Sequence, residues 1–146
     1  MNIHISNEQE DYPVDAGVVE KIISAVLLFE GVEYDEVSLY FIDTETISDL
    51  HQTYFQDPSP TDCISFPMDD HSEEGYKILG DVFVCPAVGI AYAKTHNGSA
   101  SEEINLYIVH GLLHLLGYDD ISEEDKLVMR EAERRHMLNL KNADLL

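Results

Sequence analysis

Residues 110–120 read HGLLHLLGYDD, so two histidines four positions apart stand among leucines and precede a glycine and two aspartates. Residues four apart lie on one helix face with Cβ atoms about 6 Å apart, which lets the imidazoles of His110 and His114 converge on one cation. An imidazole without a partner in such an apolar segment costs about 1 to 3 kcal/mol. The pair therefore indicates a metal site more strongly than a packed core position.

The residues after the second histidine predict a turn that completes this site. Gly117 stands where a residue in the left-handed conformation ends a helix and reverses the chain. The reversal can bring Asp119 or Asp120 to the cation as a third ligand. The predicted set has two nitrogens, one oxygen and a position open for water, as in catalytic zinc sites.

The length of 146 residues allows one compact domain over residues 1–146 and is too short for two of ordinary size. Hydrophobic residues make up 45% of the chain, which is enough for a globular core. No window approaches the roughly 18 consecutive apolar residues of a membrane span. The first residues carry neither a basic region nor an apolar core of signal-peptide length. We therefore expect a soluble, cytoplasmic protein without a membrane partner.

The charge balance argues against nonspecific nucleic-acid binding as the main function. The chain has 29 acidic and 8 basic residues, a formal net charge of −21, whereas phosphate binding draws its affinity from lysine and arginine. We expect no DNA partner, and an RNA substrate would need a local positive field or a metal. In the cytosol, Cys63 and Cys85 are expected to be free thiols rather than a disulfide.

Hydrophobic periodicity and turn residues predict four strands and five helices. Apolar residues surround the histidine helix on nearly every side, which marks it as central and buried, with the metal at the floor of a cleft. Ser99 and Glu102 predict a capping box at its start. An acidic loop is expected at 67–76. The predicted strands are 2–7, 36–42, 62–66 and 78–85, and the predicted helices are 15–30, 44–55, 86–96, 101–116 and 122–141.

The motif around the histidines resembles the signature of the bacterial YbeY family of metal-dependent endoribonucleases, which reads HGxLHLxGYDH. Two further segments are similar to family motifs, PTDCISFP at 60–67 and LGDV at 79–82. The order and spacing of the three segments also fit. The resemblance therefore covers most of the chain, from about residue 35 onward.

The resemblance implies an α+β fold, in which a small mixed four-stranded sheet packs against about five helices and the histidine helix is central and buried. By position, His110, His114 and Asp120 would be both the metal ligands and the catalytic residues, holding one zinc ion per chain. The implied activity is single-strand endoribonuclease cleavage in 16S rRNA 3′ end maturation and in ribosome assembly or quality control. The implied partners are an rRNA precursor and the small ribosomal subunit or its assembly factors.

Two positions depart from the family pattern. Asp120 stands where the family has a third histidine, and a carboxylate still binds zinc at about 2.0 to 2.2 Å. Asp119 matches the family's own aspartate and is expected to form the turn or to support a ligand. Phe55 stands where the family usually has an arginine suited to phosphate or transition-state charge. Either another cation replaces it, or the protein acts more as a ribosome-associated factor than as a fast nuclease.

Two other functions remain open at the level of sequence. A noncatalytic ribosome-assembly factor with a structural metal would need a fourth ligand, for which Cys63 and Cys85 are candidates. A metalloprotease is disfavoured because Gly111 stands where that motif has its glutamate base. No sequence feature identifies a general base.

The remaining polar residues have less specific interpretations. Basic residues on one face of the last helix lie beside glutamates, which favours solvated salt bridges over a phosphate-binding strip. The other histidines have no ligand spacing and are expected at the surface or at helix ends. Ser65 and Asp81 lie near the cleft by resemblance, although as isolated residues they would more often be polar groups of a strand or turn. These basic residues are Lys126, Arg130 and Arg134, the glutamates are Glu123, Glu124, Glu131 and Glu133, and the histidines are His51, His71, His96 and His136.

Overall fold

A computed structural model describes residues 1–68 and 75–146. It confirms the predicted α+β class and the predicted order of elements, with ends that differ by at most two residues. Most of the loop expected at 67–76, including His71, lies outside the described residues. The strands are β1 (Asn2–Glu8), β2 (Glu36–Ile42), β3 (Cys63–Pro67) and β4 (Ile78–Val84), and the helices are α1 (Ala16–Glu30), α2 (Thr44–Phe55), α3 (Pro86–Thr95), α4 (Ala100–Leu115) and α5 (Glu123–Asn142).

The four strands form a mixed sheet in the order β1-β2-β4-β3, as the resemblance implies. The β1–β2 and β2–β4 pairs are parallel, and β3 runs antiparallel to β4. Glu36 pairs with Ile78 whereas Ser38 pairs with Asp81, so β4 carries one extra residue there. Gly80 lies in this bulge with a φ of 142°, a conformation that residues with a side chain rarely adopt.

The main core lies between one sheet face and the helices α1, α4 and α5. Alternate residues of β2 point into it, namely Val37, Leu39 and Phe41, as the period of two in a strand requires. A smaller core on the opposite face packs Ile47 of α2 against the sheet. The long helix α4 contacts the sheet as well as α1, α3 and α5, so the predicted central position of the histidine helix is confirmed.

Gly111 allows α4 to approach the sheet closely. A Cβ atom at this position would lie 2.5 Å from Cγ1 of Val82, too close for a real contact. The Ser65 hydroxyl, on β3, donates a hydrogen bond of 2.8 Å to the Gly111 carbonyl. The glycine therefore fixes how deep the histidine turns of α4 sit against β3 and β4.

Local signals set the ends of α4. The Ser99 hydroxyl accepts a hydrogen bond from the Glu102 backbone N–H, as the capping prediction expects. Gly117 has a φ of 101°, and the Tyr118 N–H donates to the Leu113 carbonyl. The helix thus ends one residue after His114, and the chain turns back beside it.

Cys63 and Cys85 are both free thiols, as expected, and Cys85 is fully buried. Within the ranges described above, no helix has the length and apolar character that crossing a membrane requires.

Candidate metal centre

The structure brings His110, His114 and Asp120 together. The two histidine Nε2 atoms lie 3.0 Å apart, and each lies 3.5 Å from Oδ2 of Asp120. Two atoms bound at about 2.0 to 2.1 Å to a tetrahedral zinc ion lie about 3.3 Å apart. The triangle of ligand atoms therefore has the size that one zinc ion requires, and the group can hold a metal ion.

Hydrogen bonds on the far side of each ring fix the protons of the two histidines. The His114 Nδ1 donates to the Tyr118 carbonyl oxygen at 3.0 Å, and a carbonyl oxygen only accepts. The His110 Nδ1 donates to Oε2 of Glu133 at 2.6 Å. In its neutral form each ring then presents a lone pair at Nε2, facing the other ring and the Asp120 carboxylate. Three acceptors this close can share one cation, so the residues fit a metal ion.

The turn after α4 determines which of the two aspartates, Asp119 or Asp120, points to the histidines. Asp119 is exposed, and its carboxylate accepts a hydrogen bond of 2.8 Å from the Asp120 backbone N–H. Asp119 thus shapes the turn, while the side chain of Asp120 points to the histidines. The sequence left this choice open, and the backbone geometry after Gly117 decides it.

Glu133 is a site residue that the sequence analysis missed, because its neighbours predicted a solvated salt bridge. The carboxylate is buried and contacts both His110 and Arg130, each at 2.6 Å. Burial acts to raise the pKa of Glu133, but the hydrogen bonds with His110 and Arg130 outweigh it and lower that pKa. The sequence carried a signal that Glu133 is buried, because helical spacing places it on the same face of α5 as Met129, Ala132 and Leu140, which are all buried.

Replacing Glu133 with glutamine is expected to lower zinc affinity by about 10- to 100-fold, the usual cost of losing a partner of a metal ligand. The amide keeps the size of the side chain but removes the charge that orients the His110 ring. Competition against a chelating dye measures the affinity. Glu131→Gln, two residues earlier on the solvent side of α5, is the control and should bind zinc normally. Equal affinities for Glu133→Gln and the unmodified protein would contradict the orienting role.

A second buried network supports the turn that carries Asp120. The Tyr118 hydroxyl donates to Glu30 at 2.9 Å, and Nε2 of His136 lies 2.7 Å from the other oxygen of that carboxylate. The expectation that His136 lies at the surface or at a helix end is therefore wrong, because it is fully buried. Its position on the apolar face of α5, opposite the end of α1, buries it, and Glu30 supplies the partner.

The other histidines within the described ranges agree with their predicted roles. His51 Nδ1 donates to the Ser59 carbonyl at 2.8 Å, and His96 follows the last turn of α3, with Nδ1 2.9 Å from the Tyr92 carbonyl oxygen.

The basic residues of α5 form ion pairs, as predicted. Lys126 pairs with Glu123 at 3.5 Å and Arg134 pairs with Glu131 at 2.5 Å, both exposed to solvent. The pair between Arg130 and Glu133 differs, because its carboxylate is buried beside His110.

The centre is open to solvent on one side. The exposed fraction of the side chain rises from 14% for His110 to 27% for His114 and 34% for Asp120. A cleft of about 310 Å³ begins beside His114 and is also lined by Ser65 and Phe55. The predicted position of the metal site at the floor of a cleft agrees with this geometry.

Neither cysteine joins the ligand cluster. Cys63 lines the cleft, whereas Cys85 belongs to the smaller core on the opposite face of the sheet. Burial and the carboxylates of Asp62 and Asp120 raise the pKa of the Cys63 thiol well above its usual value. Over the described ranges, His110, His114 and Asp120 are the group whose ligand atoms all lie within 4.8 Å of one another.

Comparisons with known proteins agree with this geometry. The family model described as Endoribonuclease YbeY matches residues 4–141. A protein named Endoribonuclease YbeY from Protochlamydia amoebophila is 52% identical over 143 residues, which cover 98% of this chain and 95% of the relative. One of the same name from Chlamydia trachomatis serovar D is 38% identical over 133 residues, which cover 90% and 83%.

A solved structure shows the same fold at low sequence identity. The solution structure of a Thermotoga maritima protein, 21% identical, matches with a TM-score of 0.67 and covers 97% of this chain and 90% of that chain. The family match and the two relatives each span most of the sequence. This chain is therefore a member of the YbeY family.

Proposed function

We propose that this protein is a zinc-dependent endoribonuclease that cleaves single-stranded RNA in 16S rRNA 3′ end maturation and in ribosome assembly or quality control. One cytoplasmic domain over residues 1–146 would carry the activity on an rRNA precursor of the small subunit. One observation carries the proposal: the lone pairs of His110, His114 and Asp120 converge beside an open cleft. The names of the relatives supply the RNA-cleaving class.

His110, His114 and Asp120 would hold the zinc ion through Nε2, Nε2 and Oδ2. A bound zinc ion lowers the pKa of water and polarises a phosphoryl oxygen, which is the chemistry that phosphodiester hydrolysis needs. Glu133 and the Tyr118 carbonyl keep the protons of the two rings on Nδ1, so that both Nε2 atoms stay free to bind. The solvent-exposed side of the centre leaves room for the RNA backbone.

The noncatalytic assembly factor and the metalloprotease have weaker support. A structural metal site is normally closed by a fourth protein ligand, and neither Cys63 nor Cys85 belongs to the cluster. A zinc protease of the matching motif needs a glutamate at position 111, where even a Cβ atom would lie 2.5 Å from Val82. A catalytic centre acting on RNA is the function that the geometry favours.

Metal removal tests the proposal. Protein stripped with a chelator should cleave neither a 16S rRNA precursor nor a single-stranded RNA, and added zinc should restore cleavage of both. His114→Ala, purified in parallel, controls for contaminating nucleases and should stay inactive. Cleavage that survives in the stripped protein, or no cleavage with one zinc ion per chain, would favour the noncatalytic assembly factor.

Asp120→His should bind zinc at least as tightly as the unmodified protein, because the imidazole supplies the ligand that the family motif has at this position. Competition with a chelator measures the affinity, and Glu124→His, at an exposed position in the first turn of α5, is the control that should leave it unchanged. A clear loss of affinity in Asp120→His would mean that the turn after Gly117 requires a carboxylate.

We propose that Arg130, which contacts the metal centre through Glu133, supplies positive charge for RNA in place of an arginine at position 55. Its guanidinium contacts Glu133, which contacts His110, and its side chain is 60% exposed. Arg130→Ala should weaken binding of single-stranded RNA and reduce the slope of log affinity against log salt by about 0.7, one phosphate contact. Arg134→Ala, one turn further along α5 and 73% exposed, should change the slope less. Equal slopes for both variants would contradict this role, and zinc content must be matched.

A further inference from the structure

The cleft beside the metal centre has an aromatic wall formed by the rings of Phe55 and His51. Phe55, the last residue of α2, is 53% exposed and lines the cleft with the apolar side chains of Ile64 and Pro67. His114 lies in the same lining, so the wall and a residue of the metal centre share one space. Single exposed apolar side chains are common on protein surfaces. Phe55 differs because it lines a concave cleft that also contains a proposed metal ligand, and ligands bind in such clefts.

Hydrogen bonds orient the His51 ring, which contacts the ring of Phe55. Ser59 donates to the Asp57 carboxylate through its N–H and its hydroxyl, at 2.9 and 2.6 Å. The Ser59 carbonyl in turn accepts from Nδ1 of His51 at 2.8 Å. The His51 ring then lies 5.6 Å from the ring of Phe55, centroid to centroid. A preformed pair of rings lowers the entropy that a ligand loses on binding.

Charge narrows the class of ligand. With a net charge of −21, the protein gains little affinity from the phosphates of RNA. A nucleobase instead offers a flat π-face that stacks on an aromatic ring without needing a positive field. The volume of about 310 Å³ lies at the lower end of the range for small-molecule pockets and suits one planar base. Bases within a duplex are stacked and paired, so only an unpaired base can enter.

We propose that the cleft is a nucleobase subsite, in which one unpaired base of the RNA stacks on Phe55. Stacking there holds the strand beside His114 and makes single-stranded RNA the substrate. This inference rests on the proposed function, because the metal centre gives the reason for RNA to be present. Thr61 and Ser65 add hydroxyl oxygens to the same lining, and these oxygens can accept hydrogen bonds from the edge of the base.

Binding of an uncleavable, fluorescently labelled 2′-O-methyl RNA strand to the zinc-loaded protein tests the subsite. Phe55→Leu keeps an apolar side chain but removes the π-face, and it should weaken binding about tenfold, which equals ~1.4 kcal/mol. Phe55→Trp should bind at least as tightly as the unmodified protein. Tyr54→Leu is the matched control, because the Tyr54 ring packs edge-on against Phe66 at 4.9 Å, and it should bind normally.

A series of RNA strands, each with one abasic position, locates the stacked base. Replacing single bases with abasic sites should find one position at which the unmodified protein loses about tenfold in affinity and Phe55→Leu loses nothing more. The subsite is refuted if Phe55→Leu binds as tightly as the unmodified protein, or if no position couples to Phe55. The proposed nuclease survives that result if zinc still restores cleavage. Coupling to Phe55 without zinc-dependent cleavage would instead support the subsite and refute the nuclease.

Discussion

A double variant with alanine at His110 and His114 should contain no stoichiometric zinc and should lose metal-dependent RNA cleavage. Losing only the partner of a ligand lowers metal affinity by about 10- to 100-fold, and this variant loses two of the three proposed ligands. Asp120 is then the one proposed ligand that remains, and a single carboxylate does not retain zinc through purification. Elemental analysis of the purified protein and a cleavage assay at matched protein concentration measure the two effects.

Variants of one ligand at a time test how much each residue contributes to zinc binding. His110→Ala and His114→Ala should each abolish stoichiometric zinc, whereas Asp120→Ala should weaken binding without removing it. His96→Ala is the control, since His96 lies at the end of α3 away from the cluster, and it should keep one zinc ion per chain. One zinc ion per chain in the double variant would place the metal site elsewhere.

Gly111→Ala should lower the free energy of unfolding by about 1 to 3 kcal/mol, the usual cost of overpacking a well-packed core. The added Cβ atom would lie 2.5 Å from Val82 and 3.3 Å from the Ser65 hydroxyl. Helix propensity favours alanine over glycine by about 1 kcal/mol. The net loss in the free energy of unfolding is therefore the cost of the steric clash minus this gain. Chemical denaturation without added metal gives the change.

Gly17→Ala is the matched control for this prediction. Gly17 also lies in a helix, but its Cβ atom would meet only Asp15, at 3.4 Å. The substitution should therefore leave the free energy of unfolding unchanged or raise it by at most about 1 kcal/mol. Gly111→Glu, which restores the metalloprotease pattern, should destabilise further and show no peptidase activity. A Gly111→Ala protein as stable as the unmodified one would mean that α4 does not press against β4.

The sequence alone was sufficient for features that depend on neighbouring residues. The period of apolar positions predicted the five helices and four strands, and the capping residues predicted their ends to within two residues. His110 and His114 were predictable because one helical turn fixes their separation, whatever the rest of the chain does. Gly117 likewise predicted the turn, since a positive φ is a local property of the backbone.

Tertiary structure alone decided the parts of the site that come from distant segments. Glu133 reaches His110 across 23 positions, and His136 reaches Glu30 across 106. A row of glutamates and arginines on a helix looks solvated until the packing angle of that helix is known, and here packing turns Glu133 and His136 inward. The choice of Asp120 over Asp119 depends on the path of the turn across the end of α4. The aromatic cleft forms only where α2 ends beside β3, because long-range packing, not chain order, sets that distance.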